Sequence, residues 1–211
     1  AATREGAESS KIYMVGNILM DTLRFNHQRF ARPAVMDSLG LTEKRYIVFT
    51  LNRKAIIGND DELRALLVSM MSHTGDIPVV APLRQLAADA VQCIVNENPL
   101  LFEKLHIVAP LDYLHFGYLT ANALGVVTDS GNVAEEATFN TVPCITLNSY
   151  TEHIETVKVG SNVLVGEDPV LLGEEMARMV DGKWKHCGIP ERWDGRSAER
   201  IVQTLLECAA K

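Results

Sequence analysis

The sequence predicts an α/β protein built on a doubly wound, Rossmann-like parallel sheet. Three observations carry this reading. Six short runs rich in apolar and β-branched residues recur along the chain, and each is followed by a longer stretch with apolar residues at helical spacing. The runs are apolar throughout rather than alternating, which is the pattern of strands covered on both faces. Right-handed crossovers between such strands wind helices onto both sides of one sheet.

In order, Tyr46–Leu51 (YIVFTL) is the first strand, and Asp60–His73 (DDELRALLVSMMSH) the helix after it. That helix has acids in its first turn, where they complement the dipole, and apolar residues three and four apart beyond them. Pro78–Leu83 (PVVAPL) is the second strand, with a helix running through Val95. Leu105–Pro110 (LHIVAP) is the third, followed by a helix over Asp112–Asn122. Leu124–Asp129 (LGVVTD) leads into a helix from about Asn132 to Asn140. Pro143–Asn148 (PCITLN) precedes a short helix near Glu152–Val159, and Asn162–Gly166 (NVLVG) precedes a helix over Pro169–Val180. Two segments fall outside this series. Residues 11–24 are predicted as strand, turn and helix, and residues 191–210 as a last helix introduced by ERWDGRS.

Composition narrows the class. Of 211 residues, 47% are hydrophobic and 22% charged, ample for a buried core and too apolar for a disordered chain. Twenty Lys and Arg against 27 Asp and Glu give a net charge of −7, so no nucleic-acid partner is expected. No apolar run approaches the ~18 residues of a membrane span, and AATREGAESSK lacks the apolar region of a signal peptide. A cytoplasmic protein with no membrane partner is expected. The four cysteines are widely spaced without a CxxC pair, and no two of the six histidines lie four apart on a helix. Neither a metal site nor a cofactor is expected.

In open α/β sheets, ligands bind beyond the carboxyl ends of the strands. Four loops there carry candidate chemistry. In TDSGNVAEEA (Thr128–Ala137), Gly131 lets backbone approach a ligand, Ser130 offers a hydroxyl, and a helix start with free N–H groups suits a phosphate. Glu136, further into that helix, is placed to accept ribose hydroxyls. The plainer reading makes Asp129 or Ser130 an N-cap and the two glutamates complements of the dipole. In TLNRKAIIGND (Thr50–Asp61), Arg53 is either a phosphate ligand or a solvated charge. In NSYTEHIETVKVGSN (Asn148–Asn162), His153 either faces a ligand or belongs to a capped short helix begun at Thr151. In APLDYLHFGYLTA (Ala109–Ala121), Tyr113 or Phe116 either stacks on a base or packs in the core. GxGxxG, GxxxxGK[ST] and GxSxG are all absent, which removes a nicotinamide dehydrogenase, a P-loop ATPase and a serine hydrolase. The residues alone reach a phosphate- or nucleotide-binding domain.

Taken together, the loops resemble one family, the non-hydrolysing UDP-N-acetylglucosamine 2-epimerases. VGNILMDTL (Val15–Leu23), PLDYLHFGYL, TDSGNVAEEA, YTEHIETVKVGSNVLVG and WDGRSAERIV resemble the family's segments in its order. The resemblance implies the C-terminal half of a GT-B-type two-domain architecture. Residues 1–40 then end a truncated N-terminal domain and its linker, 41–190 form the nucleotide-binding domain, and 191–211 are a helix packing toward the N-terminal domain. It implies UDP-sugar as ligand, with Arg53, Ser130, Gly131, Asn132 and His153 at the diphosphate, Glu136 at the ribose, and Phe116 with the Leu111 backbone at the uracil. It implies epimerisation at C2 by elimination and re-addition of UDP, by a homodimer when full length. The acid/base carboxylates belong to the family's N-terminal half, so no catalytic residue is expected in this chain and no activity alone. Asn52 stands at the family's histidine, Asn148 and His153 at arginines, and Arg84 near a histidine of a regulatory site. Asn132 replaces a second glycine, and is expected to take left-handed backbone if the close approach is kept. These departures take positive charge from a diphosphate site. The other readings are the donor-binding half of a GT-B glycosyltransferase and a non-catalytic nucleotide-sugar-binding module.

Overall fold

The six apolar runs pair as six parallel strands in a computed structural model that describes residue 6 and residues 8–210. In chain order, α1 (Ile18–Asn26) and α2 (Ala34–Ser38) precede β1 (Ile47–Phe49). Then come α3 (Lys54–Ile57), α4 (Asp60–Ser72), β2 (Val79–Pro82), α5 (Gln85–Glu97), β3 (Leu105–Val108) and α6 (Tyr113–Ala121). β4 (Gly125–Thr128), α7 (Gly131–Phe139), β5 (Cys144–Thr146), α8 (Ile154–Lys158), β6 (Asn162–Leu164), α9 (Pro169–Val180) and α10 (Ser197–Ala209) follow. The sheet order is β3-β2-β1-β4-β5-β6, with every neighbour parallel. The Rossmann-like reading is correct, and the chain reverses its direction of travel across the sheet between β1 and β4.

Alternate residues of each strand serve opposite faces, which is why the runs are apolar throughout. Ile47, Phe49, Val79, Val127 and Ile145 pack under α4, α5 and α9 through Leu63, Leu67, Val91 and Met176. Tyr46, Val48, Val80, Val126 and Cys144 pack on the other face under α6 and α7 through Leu119, Ala134 and Ala137. Tyr46 is fully buried, and its hydroxyl donates to the Leu119 carbonyl at 2.7 Å, which satisfies the one polar atom it takes inside. Burial drives its pKa above the ordinary tyrosine value.

Two compact units are present. One spans Arg29–Ile189; the other joins the segment ending at Gln28 to the segment beginning at Pro190. In the latter, Asn17 caps α1 by accepting from the Leu19 N–H at 2.9 Å. Asp21 accepts from the N–H groups of Ser197 and Ala198, at 2.9 and 2.8 Å, and so caps α10. Gly16 has φ +103°, and a Cβ there would lie 2.4 Å from the Arg192 carbonyl oxygen, so this position requires glycine. Arg200 donates to Asp194 and to the Val15 carbonyl, and its guanidinium holds the Asp194 carboxyl down at about 2.

The strand expected near residues 12–16 does not form. Ile12, Tyr13 and Met14 are exposed and pair with no strand among the described residues. An apolar run becomes a strand only where another strand takes its N–H and C=O groups. Among the described residues no helix is long and apolar enough to cross a membrane.

Candidate functional site

A parallel sheet opens a crevice where its strand order reverses, beyond the carboxyl ends of the strands. Here the loops after β1 and β4 meet, and Asp129 ties them together. Its Oδ2 accepts from the backbone N–H of Asn52 at 2.7 Å and of Arg53 at 2.5 Å. Beneath it the Thr50 and Thr128 hydroxyls share a hydrogen bond of 2.7 Å, and the Ser130 N–H donates to Thr128 Oγ1 at 3.0 Å. Asp129 is 8% exposed, and its buried Oδ1 has no hydrogen-bond partner among the described residues.

Helix α7 starts on the floor of this crevice. Ser130 occupies the N-cap position with extended backbone, yet its hydroxyl makes no capping bond. Asp129 spends its carboxylate on the opposite loop. The first turn of α7 therefore presents backbone N–H donors and the positive end of the dipole without a side-chain acceptor from its own cap. This removes the plain N-cap reading for Ser130. The glutamates also do more than complement a dipole, since both are buried beyond the first turn, Glu135 at 4% and Glu136 at 8% exposure.

The crevice is an open cleft of about 440 Å³, lined in part by Arg53, Ser130, Gly131, Asn132, Tyr150 and His153. Arg53 donates from Nη1 to the Leu147 carbonyl at 3.0 Å and to Asn148 Oδ1 at 2.9 Å. Its Nη2 lies 2.5 Å from Glu167 Oε1. Asn148 donates in turn to the Asp129 carbonyl at 3.1 Å, so the loops after β1, β4, β5 and β6 are laced together. His153 places Nδ1 3.0 Å from the buried Glu135 Oε1. Its ring packs over Gly131, where a Cβ would come within 3.0 Å of Cδ2. Glycine at 131 thus makes room for the imidazole.

Asn132 is exposed and lies in regular helix without positive φ, so it does not take the left-handed backbone expected of a glycine substitute. The Asn52 side chain is exposed, and only its N–H takes part in the network given above. Leu111, Phe116 and Glu136 do not line the cleft. Leu111 and Phe116 pack against the core layer under α6 and α7. Asp112 caps α6 by accepting from the N–H groups of Leu114 and His115, both at 3.0 Å. Tyr113 packs edge-on to Phe30 with ring centroids 6.1 Å apart. Burial and then the charge of Glu135 push the Glu136 carboxyl up to about 7. Arg84 is exposed at the start of α5.

Sequence reasoning missed the bridging role of Asp129 and the contact of Glu167 with Arg53. Glu167 follows β6 at the same carboxyl edge as the four loops considered, and that position was the available signal.

The doubly wound sheet, with an uncapped helix start and a guanidinium at its point of reversal, defines a Rossmann-like domain suited to an anionic ligand. A family model described as UDP-N-acetylglucosamine 2-epimerase matches residues 2–206. The chain belongs to that family. It is 33% identical over 214 residues to a UDP-N-acetylglucosamine 2-epimerase of Methanocaldococcus jannaschii, covering 96% of this chain and 56% of the relative. It is 32% identical to a UDP-2,3-diacetamido-2,3-dideoxy-D-glucuronate 2-epimerase of Pseudomonas aeruginosa, covering 96% and 55%. The crystal structure of the M. jannaschii UDP-GlcNAc 2-epimerase in complex with UDP-GlcNAc and UDP superposes with a TM-score of 0.75 at 29% identity, covering 96% of this chain and 57% of that one. The chain thus spans about half the length of the relatives it matches.

Proposed function

We propose that this chain is the UDP-binding part of a UDP-N-acetylglucosamine 2-epimerase, which interconverts UDP-GlcNAc and UDP-ManNAc. The observation that carries the proposal is the uncapped start of α7 at the reversal point, with the Ser130 hydroxyl and the Arg53 guanidinium beside it. In this reaction a base takes the C2 proton while the C1–O bond to UDP breaks, leaving a glycal. UDP then adds back to C1 as a proton reaches C2 from the other face. The departing diphosphate keeps the electron pair of the broken bond. The N–H groups at Gly131 and Asn132, the Ser130 hydroxyl and Arg53 face that charge as fixed donors, and donors fixed in advance stabilise it without reorganisation. The family resemblance assigns Glu136 to the ribose and Phe116 with the Leu111 backbone to the uracil, although none of the three lines the cleft described above.

Residues 41–190 hold the nucleotide in this scheme, while 1–40 and 191–211 adjoin the family's other domain, whose carboxylates move the C2 proton. The 211 residues alone bind UDP without turnover, and the full-length protein works as a homodimer. Calorimetric titration with UDP tests the proposal. Binding that Ser130→Ala and Glu136→Ala each weaken supports it; no heat at millimolar UDP overturns it. The Pseudomonas relative is named for a different sugar, so turnover assays of the full-length protein include both UDP-GlcNAc and the diacetamido-glucuronate donor.

A further inference from the structure

The cleft holds one permanent cation among the described residues that line it, and that cation is already engaged. Arg53 is the sole Lys or Arg of the lining. Its Nη1 is spent on the Leu147 carbonyl and Asn148 Oδ1, and its Nη2 pairs with Glu167 Oε1 at 2.5 Å. The first two contacts are neutral acceptors that set the direction of the guanidinium. The third is a carboxylate on the loop after β6, with 35% of its side chain exposed against 41% for Arg53. A pair this exposed is held weakly, so an incoming anion displaces it readily. Glu167 also adjoins Glu62 of α4, whose carboxyl it pushes above the ordinary carboxylate value. Glu62 is itself held by Asn59, whose Nδ2 donates to Glu62 Oε2 at 2.8 Å.

We infer that Glu167 is an affinity-setting residue that competes with the ligand's diphosphate for Arg53. In the unliganded cleft it neutralises the guanidinium and keeps it turned toward the β5 and β6 loops. When a diphosphate arrives, Arg53 Nη2 passes from Glu167 to a phosphate oxygen while Nη1 keeps its neutral acceptors. The exchange replaces one charge-assisted bond by another, so the ligand gains from Arg53 only the difference between the two. Tight retention of UDP would slow its release, and a built-in carboxylate competitor keeps the grip moderate. This inference rests on the reading of the cleft as a diphosphate site.

The test is a double-mutant cycle read by calorimetric titration with UDP on the full chain, using wild type, Glu167→Gln, Arg53→Ala and the double variant. Glu167→Gln keeps the size of the side chain and removes its charge. It is expected to bind UDP roughly two- to fivefold more tightly, since the pair that competes for Arg53 is gone. In the Arg53→Ala background the same change is expected to do little. Loss of a merely structural role would weaken UDP in both backgrounds, so the dependence on Arg53 separates the two. A Glu167→Gln variant that melts like wild type but binds UDP equally or less tightly overturns the inference. So does a gain of the same size with and without Arg53. Failure of wild type and all variants to bind UDP refutes the site reading itself, a different outcome from a wild type that binds while Glu167→Gln changes nothing.

Discussion

Glu136→Gln should stabilise the protein and damage its ligand site at once, with both effects set by pH. Glu136 is 8% exposed, next to the buried Glu135 on its own helix and near Tyr113 of α6, and its carboxyl sits at about 7 instead of the ordinary 4.5. A carboxyl raised in the folded state favours folding when protonated, and that contribution is lost as pH climbs through about 7. At 1.36 kcal/mol for each pH unit between the two values, the raised carboxyl costs the folded protein about 3 kcal/mol at pH 8.5, where it is ionised in both states, and about 1 kcal/mol at pH 5, where only the unfolded chain ionises it. Glutamine removes the charge at nearly constant volume. Urea unfolding should therefore show the variant more stable by these amounts, a gap in midpoint near 1.5 M at pH 8.5 for a slope of about 2 kcal/mol per molar. Ribose hydroxyls donate more strongly to the ionised form, so wild-type UDP affinity should rise by up to about tenfold from pH 6 to pH 8 as Glu136 ionises, and that rise should vanish in the variant. A stability gap independent of pH, or a UDP affinity that falls over this range in the same way in both proteins, would refute the reasoning.

The other predictions rest on single contacts. Ser130→Ala should weaken UDP about tenfold or more, as expected for a hydrogen bond to a charged group. It should leave the urea midpoint unchanged, because Ser130 does not cap α7; a loss near 1 kcal/mol would restore the N-cap reading. Asp129→Ala strands the N–H groups of Asn52 and Arg53 and should cost about 2–4 kcal/mol in urea unfolding. Asp21→Ala should speed hydrogen exchange of the Ser197 and Ala198 amides and destabilise α10 by about 1 kcal/mol.

All six strands were readable because both faces of the sheet are dry, so each strand is an unbroken apolar word bounded by turn residues. The segment at residues 12–16 is apolar too but has no strand beside it among the described residues, and composition does not report neighbours. The short α3 lies inside what reads as the loop after β1; Ile56 and Ile57, buried in the core, fold it back. In the cleft, the loops were legible from their place after strands, and TDSG from its turn and helix start. Asp129 was not, because it acts on backbone 76 and 77 residues away, a distance no local spacing encodes. Nor was Glu167, since an acid in an exposed turn looks the same whether or not an arginine meets it. The His153–Glu135 pair joins α7 to the loop before α8 and was equally silent.

The cap that Asp21 gives to α10 has a consequence for the order in which the protein is made. Donor and acceptor are 176 residues apart. At about 5–20 residues per second, the carboxylate waits on the order of 10–35 seconds between its synthesis and that of the amides it holds. In that interval α1 lacks the helix that completes its unit. Closing so long a loop costs more entropy while the chain between its ends is unfolded. The unit containing both ends of the described chain should be the last to gain protection during refolding and the first to lose it when the protein opens.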